Sequence, residues 1–467
     1  MFHRLGAALA AAALAGCSTL SPDGGIASIQ ELAGSRAPGK LAYVDSDEAR
    51  AHVAAAVRER LQQPIASPDA IAIALANNPA LQAALAELRI AEADLVQATR
   101  LRNPGFSFAR FHRADEREIE RRIVLDVAGL VTLPWRLPAE RELYRSAQMR
   151  AAAEVARLAD ETRRAWVEAV AAAQAARYAE QVKDAAEASA EIAQQMLRAG
   201  NFSKLSHARE QVFSLESSAQ LARARQSALS ARERLARLLG LSGELAAMMK
   251  LPERLPDPPE GPREVADAEK AAMAQRLDVQ AARQEAESLA RSLGLEKASR
   301  FVNVLELGYE RDSSNVQPRR TGVEVEVSLP LFDWGDARLA RAQASYMRSF
   351  NRTADLAVRA RSEVRESYAG YRMAFDLARK YRDEIVPLRK RISEENLLRY
   401  NGMLISVFEL LADSREQVTA VTGAMEAIRD FWIADANLET ALTTGSPSGA
   451  PATRTSPTTT PAASGDH

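Results

Sequence analysis

The side chains able to do chemistry are sparse. Cys17 is the sole thiol in 467 residues, so no intramolecular disulfide and no thiolate metal cluster can form. The five histidines, His3, His52, His112, His207 and His467, are scattered without metal-ligand spacing. His207, in a polar helical stretch, reads as a solvated side chain. No glycine-rich phosphate loop, nucleophile elbow or paired catalytic histidine occurs. The expectation is a chain that is not an enzyme and holds neither metal nor cofactor. A formal charge of −1 with 26% charged residues supplies no basic field for nucleic acid. Aromatics are 5%, while alanine, arginine, glutamate and leucine dominate, which favours long helices and coiled coils over a compact catalytic core.

The surroundings of Cys17 give it a role. Arg4 supplies positive charge, and an alanine-rich apolar run from Leu5 to Gly16 follows, too short to span a bilayer and laid out as a secretory signal. Leu14-Ala15-Gly16-Cys17 resembles the lipobox of bacterial lipoproteins. That resemblance implies a signal peptide, 1–16, which is removed, and an acylated Cys17 as the new first residue. Gly16 would let the peptidase approach, and the thiol would carry the diacylglyceryl group. Ser18 implies sorting to the outer membrane, with the acyl chains as a tether. Residues 17–66 read as an N-terminal tether. Past Cys17 no run of about 18 apolar residues occurs, so a membrane role would have to use strands.

The remaining chain holds two copies of one plan. Asn77 to Pro104 aligns with Gln275 to Val302, and AREQV (Ala208 to Val212) recurs as SREQV (Ser414 to Val418). Each half, 67–245 and 267–442, reads as a helix, a short hairpin and two long helices. The first helix is expected to start with Ser67 as N-cap and Pro68 behind it. In the first half FSFARFHR, a charged loop (Asp115 to Glu118) and RRIVLDVAGLVTLP form a hairpin whose alternation is blemished by Arg110 and Asp126. In the second half VNVLELGYE, a polar loop (Arg311 to Arg320) and TGVEVEVSLPLF form its counterpart. There Val323, Val325, Val327 and Leu329 share one face, and Glu324, Glu326 and Ser328 the other. Such a strand suits a barrel with lipid outside and water inside. It equally suits a half-buried strand of a soluble sheet.

The helices set the scale. Val155, Leu158, Thr162, Ala165, Ala169, Ala172, Ala176 and Ala179 recur at steps of three and four, as do Ala354, Ala357, Arg361, Val364, Tyr368, Tyr371, Phe375, Ala378 and Ile385. Gly200 and Gly402 mark the turns where each long helix folds back. Pro387 predicts a kink. Residues 246–266 read as a proline-rich linker, and 443–467 as a tail too polar to bury apolar surface.

In order along the chain, the NNPAL opening (Asn77 to Leu81), ARLLGLSGE (Ala236 to Glu244), PLFDWG (Pro330 to Gly335) and RYNGMLISVFELLADSREQV (Arg399 to Val418) resemble the TolC-type outer-membrane efflux family, in particular its lipoprotein members that work with RND pumps. The resemblance covers Ser67 to Leu442. It implies a mainly α fold with a small β part and internal duplication. Four strands from each chain of a homotrimer would complete a twelve-stranded membrane barrel, which the coiled-coil helices continue as a periplasmic tunnel. Pro330, Phe332, Trp334 and Gly335 would form the barrel base, with LPWRLP (Leu133 to Pro138) and Trp135 as a divergent first-half counterpart. The partners implied are a periplasmic adaptor, an inner-membrane pump and outer-membrane lipid.

The duct so implied closes at the helix-turn end, where family members carry acids that select cations. The nearest carboxylates after Gly402 are Glu409 and Asp413, with Phe408 and Leu411 beside them. These four are the candidate gate; an ordinary solvated face or inter-helix salt bridge is the alternative. Two other classes remain open at this stage: a periplasmic adaptor, and a structural coiled-coil lipoprotein without a pore. The substrate is not readable from the chain.

Overall fold

The computed structural model describes residues 20–34, 39, 41–100, 102–113, 115–298, 305–327 and 334–447. Cys17, Pro330 and Phe332 lie outside them, as do the expected signal and the end of the tail.

Two short helices come first, α1 (Ile26–Ala33) and α2 (Asp47–Arg60). The Ser46 side chain caps α2 by accepting the Ala49 N–H. Ile29, Ala33, Leu61 and Ile65 are fully or nearly fully buried in the same core as the long helices. The segment expected to be a tether therefore contributes to the packed core. Helix α3 (Ser67–Asn77) has Ala66, not Ser67, at its N-cap, and the Asp69 carboxylate accepts the Ala66 N–H at 3.2 Å. Asn78 then caps α4 (Pro79–Thr99), accepting the Leu81 N–H at 3.0 Å.

Strands β1 (Gly105–Arg113) and β2 (Glu116–Asp126) form the first hairpin. Asp126, a blemish by alternation, ends β2 by capping the next helix, its carboxylate accepting the Gly129 N–H at 2.8 Å. Helix α5 (Val127–Arg198) runs for 72 residues, roughly 110 Å at ~1.5 Å per residue. Pro134 and Pro138 fall inside it, so LPWRLP is helical here, while most of PLFDWG lies outside the described residues. Pro134 and Pro138 are its eighth and twelfth residues, and the two missing backbone bonds are a small part of a 72-residue ladder. Helix α6 (Lys204–Leu238) returns, and the short α7 (Gly243–Met248) closes the half.

The second half repeats the order: α8 (Ala268–Gln275), α9 (Leu277–Ala298), β3 (Leu305–Ser314), β4 (Arg320–Val327) and α10 (Asp336–Lys380). A π-helical turn, Tyr381–Ile385, leads into α11 (Val386–Asn401), and α12 (Val407–Thr443) returns. Pro387 thus produces a local widening of the helix just ahead of it. Both strands of the second hairpin reach further than expected: β3 takes in Arg311 to Ser314, previously read as loop.

Each half is clasped where its last helix meets its first. Asn77 Nδ2 donates to the Leu239 and Gly240 carbonyls, both at 2.9 Å, and Asn78 Nδ2 to that of Leu238 at 2.8 Å. Gly240 has φ +67°, and a Cβ there would lie 2.4 Å from the Asn77 carbonyl oxygen. At the matching place in the second half the Asp278 N–H donates to the Thr444 carbonyl at 3.3 Å, just past α12, and fully buried Arg276 joins Asp278 to Glu363 of α10, each at 2.8 Å. The linker binds across the bundle, offering the Pro256 carbonyl to Trp432 Nε1 at 2.8 Å and the Arg263 N–H to the Tyr371 hydroxyl at 2.8 Å.

Two cores follow from the seams. One holds Val155, Leu158, Ala165 and Ala169 with the N-terminal helices; the other holds Val364, Tyr371, Phe375 and Ala378 around Phe431. Ala354 and Arg361, assigned to the second seam, are exposed in the single chain. The four strands make one antiparallel sheet in the order β1-β2-β3-β4, the two hairpins joined through β2 and β3. The outer edges of β1 and β4 have no partner strand among the described residues. No described helix is long and apolar enough to cross a membrane.

Candidate functional site

The sheet register sorts the side chains into two unlike faces. Phe106 opposes Ile123, Ile123 opposes Tyr309, and Tyr309 opposes Val323, so these four form one row across all strands. Leu125, Leu307 and Val325 form the next row toward the helices. Directly opposed residues of antiparallel strands point to the same face. Every residue of these two rows is exposed, with Phe106 at 67% and Val323 at 75%. A seven-residue apolar surface therefore stands open on one side.

The other face collects the acids. Glu116, Glu118, Glu120, Asp126, Glu306, Glu310, Asp312, Glu324 and Glu326 all fall on it by register. Asp126, Glu306 and Glu326 form the row nearest the helices. Arg122 is the described partner within this face, bound to Glu324 at 2.5 Å. The alternation read from TGVEVEV continues into β2 and β3 in these two apolar rows, where Ile123, Leu125, Leu307 and Tyr309 share the face of Val323 and Val325 and carboxylates line the other face. The sequence reading missed the acids of β2 and β3; the signal was their period of two, hidden by unaligned flanking loops.

Of the barrel-base motif, Trp334 is half-exposed and Gly335 is the N-cap of α10 with φ +69°. Pro330 and Phe332 are outside the described residues. The helix tips lie at the far end of α5 from the sheet. At the first, Gly200 has φ +77°, and the Asn201 N–H closes on the Met196 carbonyl at 2.9 Å. At the second, the Leu404 N–H closes on the Arg399 carbonyl at 2.8 Å, but Gly402 has φ −80° and Met403 takes the left-handed position at φ 58°. Gly402 thus lies in the turn as the C-cap of α11, while Met403 takes its left-handed position with a side chain 93% exposed beside exposed Leu404.

The gate candidates separate. Glu409 is exposed in the first turn of α12, its N–H held by the Ser406 cap at 3.4 Å. Leu411 is half-buried, in the groove that also contains Phe213 and Val418. Phe408 is placed only by its backbone, in the same turn. Asp413 is 7% exposed, and its Oδ2 is buried without a hydrogen-bond partner. Glu409 and Asp413 do not present their carboxylates to the same open space. Next to Asp413 along the helix, Arg415 crosses to buried Glu210 at 2.6 Å, a pair the sequence reading did not foresee. No group of three His, Cys, Asp or Glu side chains arranged to hold a metal occurs among the described residues.

No protein-family model matches the chain, and no curated protein matches it significantly. Solved structures do. CusC, in a study of its folding and transmembrane channel formation, superposes with TM-score 0.66 at 16% identity, covering 86% of this chain and 94% of that one. The outer membrane protein VceC of Vibrio cholerae matches with TM-score 0.66 at 16% identity over 84% of this chain and 97% of that one. The MtrE outer membrane channel of Neisseria gonorrhoeae, in its open state, matches with TM-score 0.64 at 16% identity over 83% and 88%. The chain has the fold of these structures: a long, internally duplicated helical bundle carrying a four-stranded antiparallel sheet.

Proposed function

We propose that the chain is the subunit of an outer-membrane channel, the passive exit duct of a tripartite efflux system. The observation that supports this most is the sheet. Its apolar face is open, its acidic face is opposite, and both edges lack a partner strand among the described residues. An open edge and an apolar face are tolerated in lipid only when the sheet closes on itself. Three copies pairing β4 of one with β1 of the next would close it, with valines and aromatics toward lipid and carboxylates lining water. The helices would continue the wall through the periplasm, about 110 Å for α5.

On this reading the substrate is handed over by an inner-membrane pump of the RND type through a periplasmic adaptor, and the duct performs no covalent chemistry. The adaptor would meet the helix tips, where Leu205, Leu398, Met403 and Leu404 are exposed. Cys17 would carry the lipid that holds the chain to the inner leaflet. The constriction would lie near Glu409, with Leu411 narrowing it. Three carboxylates on a threefold axis would concentrate cations there.

Reconstitution of the purified trimer in planar bilayers tests the channel. Stepwise cation-selective conductance is the expected result; a silent bilayer would leave an adaptor or a structural rod. In the same assay Glu409→Ala should weaken block by multivalent cations. Unchanged conductance and block would remove Glu409 from the gate. Mass spectrometry of the mature N-terminus should find Cys17 acylated, and a free thiol there would remove the anchor.

A further inference from the structure

The face of the sheet that carries the apolar rows contains no aspartate or glutamate, yet it carries four arginines. Toward the hairpin turns, the row above Phe106 and Ile123 holds Phe108, Arg121, Arg311 and Thr321. The next holds Arg110, Ile119 and Ser313, and the last His112 and Arg117. Arg110, Arg117 and Arg121 are exposed, and Arg311 has a buried Nε without a hydrogen-bond partner. None of the four side chains makes an ion pair with a described residue, whereas Arg122 on the opposite face is bound to Glu324. Glu116, Glu118, Glu120, Glu310 and Asp312 adjoin Arg117, Arg121 or Arg311 in sequence, but all lie on the opposite face and do not neutralise them.

Turned toward lipid rather than water, such an arrangement calls for an outside partner. On a lipid-facing surface an arginine costs about 2–4 kcal/mol at the bilayer midplane and close to nothing at the interface. Successive rows are two residues apart, about 7 Å along the strand, or about 5 Å in height at the usual tilt. The arginines thus begin about 5 Å above the aromatic row and continue to the turns, the level where acyl chains give way to headgroups. Guanidinium is a planar fork that binds phosphate through paired N–H donors and tolerates partial desolvation better than ammonium. The apolar rows directly below fit the acyl chains of the same molecule.

We propose that Arg110, Arg117, Arg121 and Arg311 form a binding surface for the phosphate groups of an outer-leaflet glycolipid, with its acyl chains against Phe106, Tyr309 and Val323. This rests on the barrel reading, which turns the hairpin loops outward and this face toward lipid. Closing the sheet from three chains repeats the tier around the barrel. The lipid then bridges neighbouring chains as well as coating each one.

The test uses full-length trimer exchanged into phosphatidylethanolamine nanodiscs containing a minority of diphosphoryl lipid A, or of lipid A stripped of its phosphates. Native mass spectrometry counts the lipid retained. Retention of the diphosphoryl form over the stripped form by about tenfold or more is expected, equivalent to ~1.4 kcal/mol. Arg110→Gln with Arg311→Gln should abolish that preference, Arg→Lys at the same two positions should restore part of it, and Arg122→Gln on the opposite face should leave it intact. Equal retention of both lipids, or retention undiminished in the double glutamine variant, would overturn the proposal. So would displacement by millimolar inorganic phosphate, which would mark a site for free anion. Conductance is recorded on each preparation. A conducting trimer without the preference disproves the lipid surface alone, whereas no conductance at all removes the barrel and the proposal with it.

Discussion

Glu210 and Arg415 stand 2.6 Å apart, one from each copy of the repeated REQV motif. The glutamate of the first copy is bonded to the arginine of the second, so the duplication has become a contact between the two helical hairpins. Glu210 is 6% exposed by side chain and has one further partner, Ser189 Oγ at 3.1 Å. The Arg415 guanidinium also covers the Phe213 ring at 4.5 Å. Removing Arg415 would strand a buried carboxylate. Arg415→Ala should therefore cost about 2–3 kcal/mol, and Arg415→Ala with Glu210→Gln together should cost less than the sum of the two singly. A double-mutant cycle on thermal unfolding measures this; additive losses would mean the pair carries no coupling.

At the tips, glycine content and conformational need do not coincide. Gly200 needs its φ of +77°, while Gly402 at φ −80° leaves an added Cβ no closer than 3.5 Å to any neighbour. Gly200→Ala should destabilise its turn by about 1 kcal/mol, since a left-handed non-glycine residue costs roughly that much. Gly402→Ala should be neutral, and Met403→Gly should relieve strain at φ 58°. Hydrogen exchange of the amides that close each turn, Asn201 and Leu404, reads these effects separately. Equal effects of the two glycine substitutions would contradict the turn assignment.

The stability of the bundle should respond to pH through Asp160, which is 3% exposed and accepts from Thr440 and Thr444 at 2.9 and 3.1 Å. Burial pushes its carboxyl above 3.8, against the opposing pull of those hydroxyls and of Arg163 and Arg164. A carboxyl raised in the folded state binds more protons folded than unfolded. The stability it contributes is complete below the unfolded value and falls as pH climbs through the raised one. Unfolding free energy measured from pH 4 toward neutrality should carry this negative contribution in the native chain and lose it in Asp160→Asn. An unchanged slope in the variant would assign the pH dependence elsewhere.

What could be read in the sequence followed periodic signals. The order of elements was legible because both halves share one offset, and β4 was legible because TGVEVEV alternates without a flaw. The departures arise from single residues whose role depends on local backbone or packing. Asp126 interrupts an apolar strand pattern because its carboxylate caps α5, and that early cap draws Pro134 and Pro138 into a helix. Gly402 attracts attention as the glycine of a turn, yet Met403 takes the strained position. Asp413 lies next to a tip, as a gate acid would, but packing buries it, and no spacing rule separates it from exposed Glu409. The arginine tier was invisible for a different reason. It exists only across strands, after the register has brought Arg121 beside Arg311.

Opposite faces of one strand give the last prediction. Val323 and Glu326 are three residues apart on β4, one in the exposed apolar row and the other in the acidic row next to the helices. If the apolar face meets lipid, Val323→Arg places a charge in the apolar band and should cost about 2–4 kcal/mol in each chain. That loss, taken in every subunit at once, should appear as failure to form a heat-resistant trimer in outer-membrane vesicles. Glu326→Arg faces water and should leave assembly intact while shifting the reversal potential in a salt gradient toward anions. A soluble sheet with the same alternation predicts another pattern. Its solvated face would accept arginine at either position, and neither change would alter an ionic current. Normal assembly of the Val323→Arg chain would therefore contradict the lipid-facing assignment, whatever Glu326→Arg does to conductance.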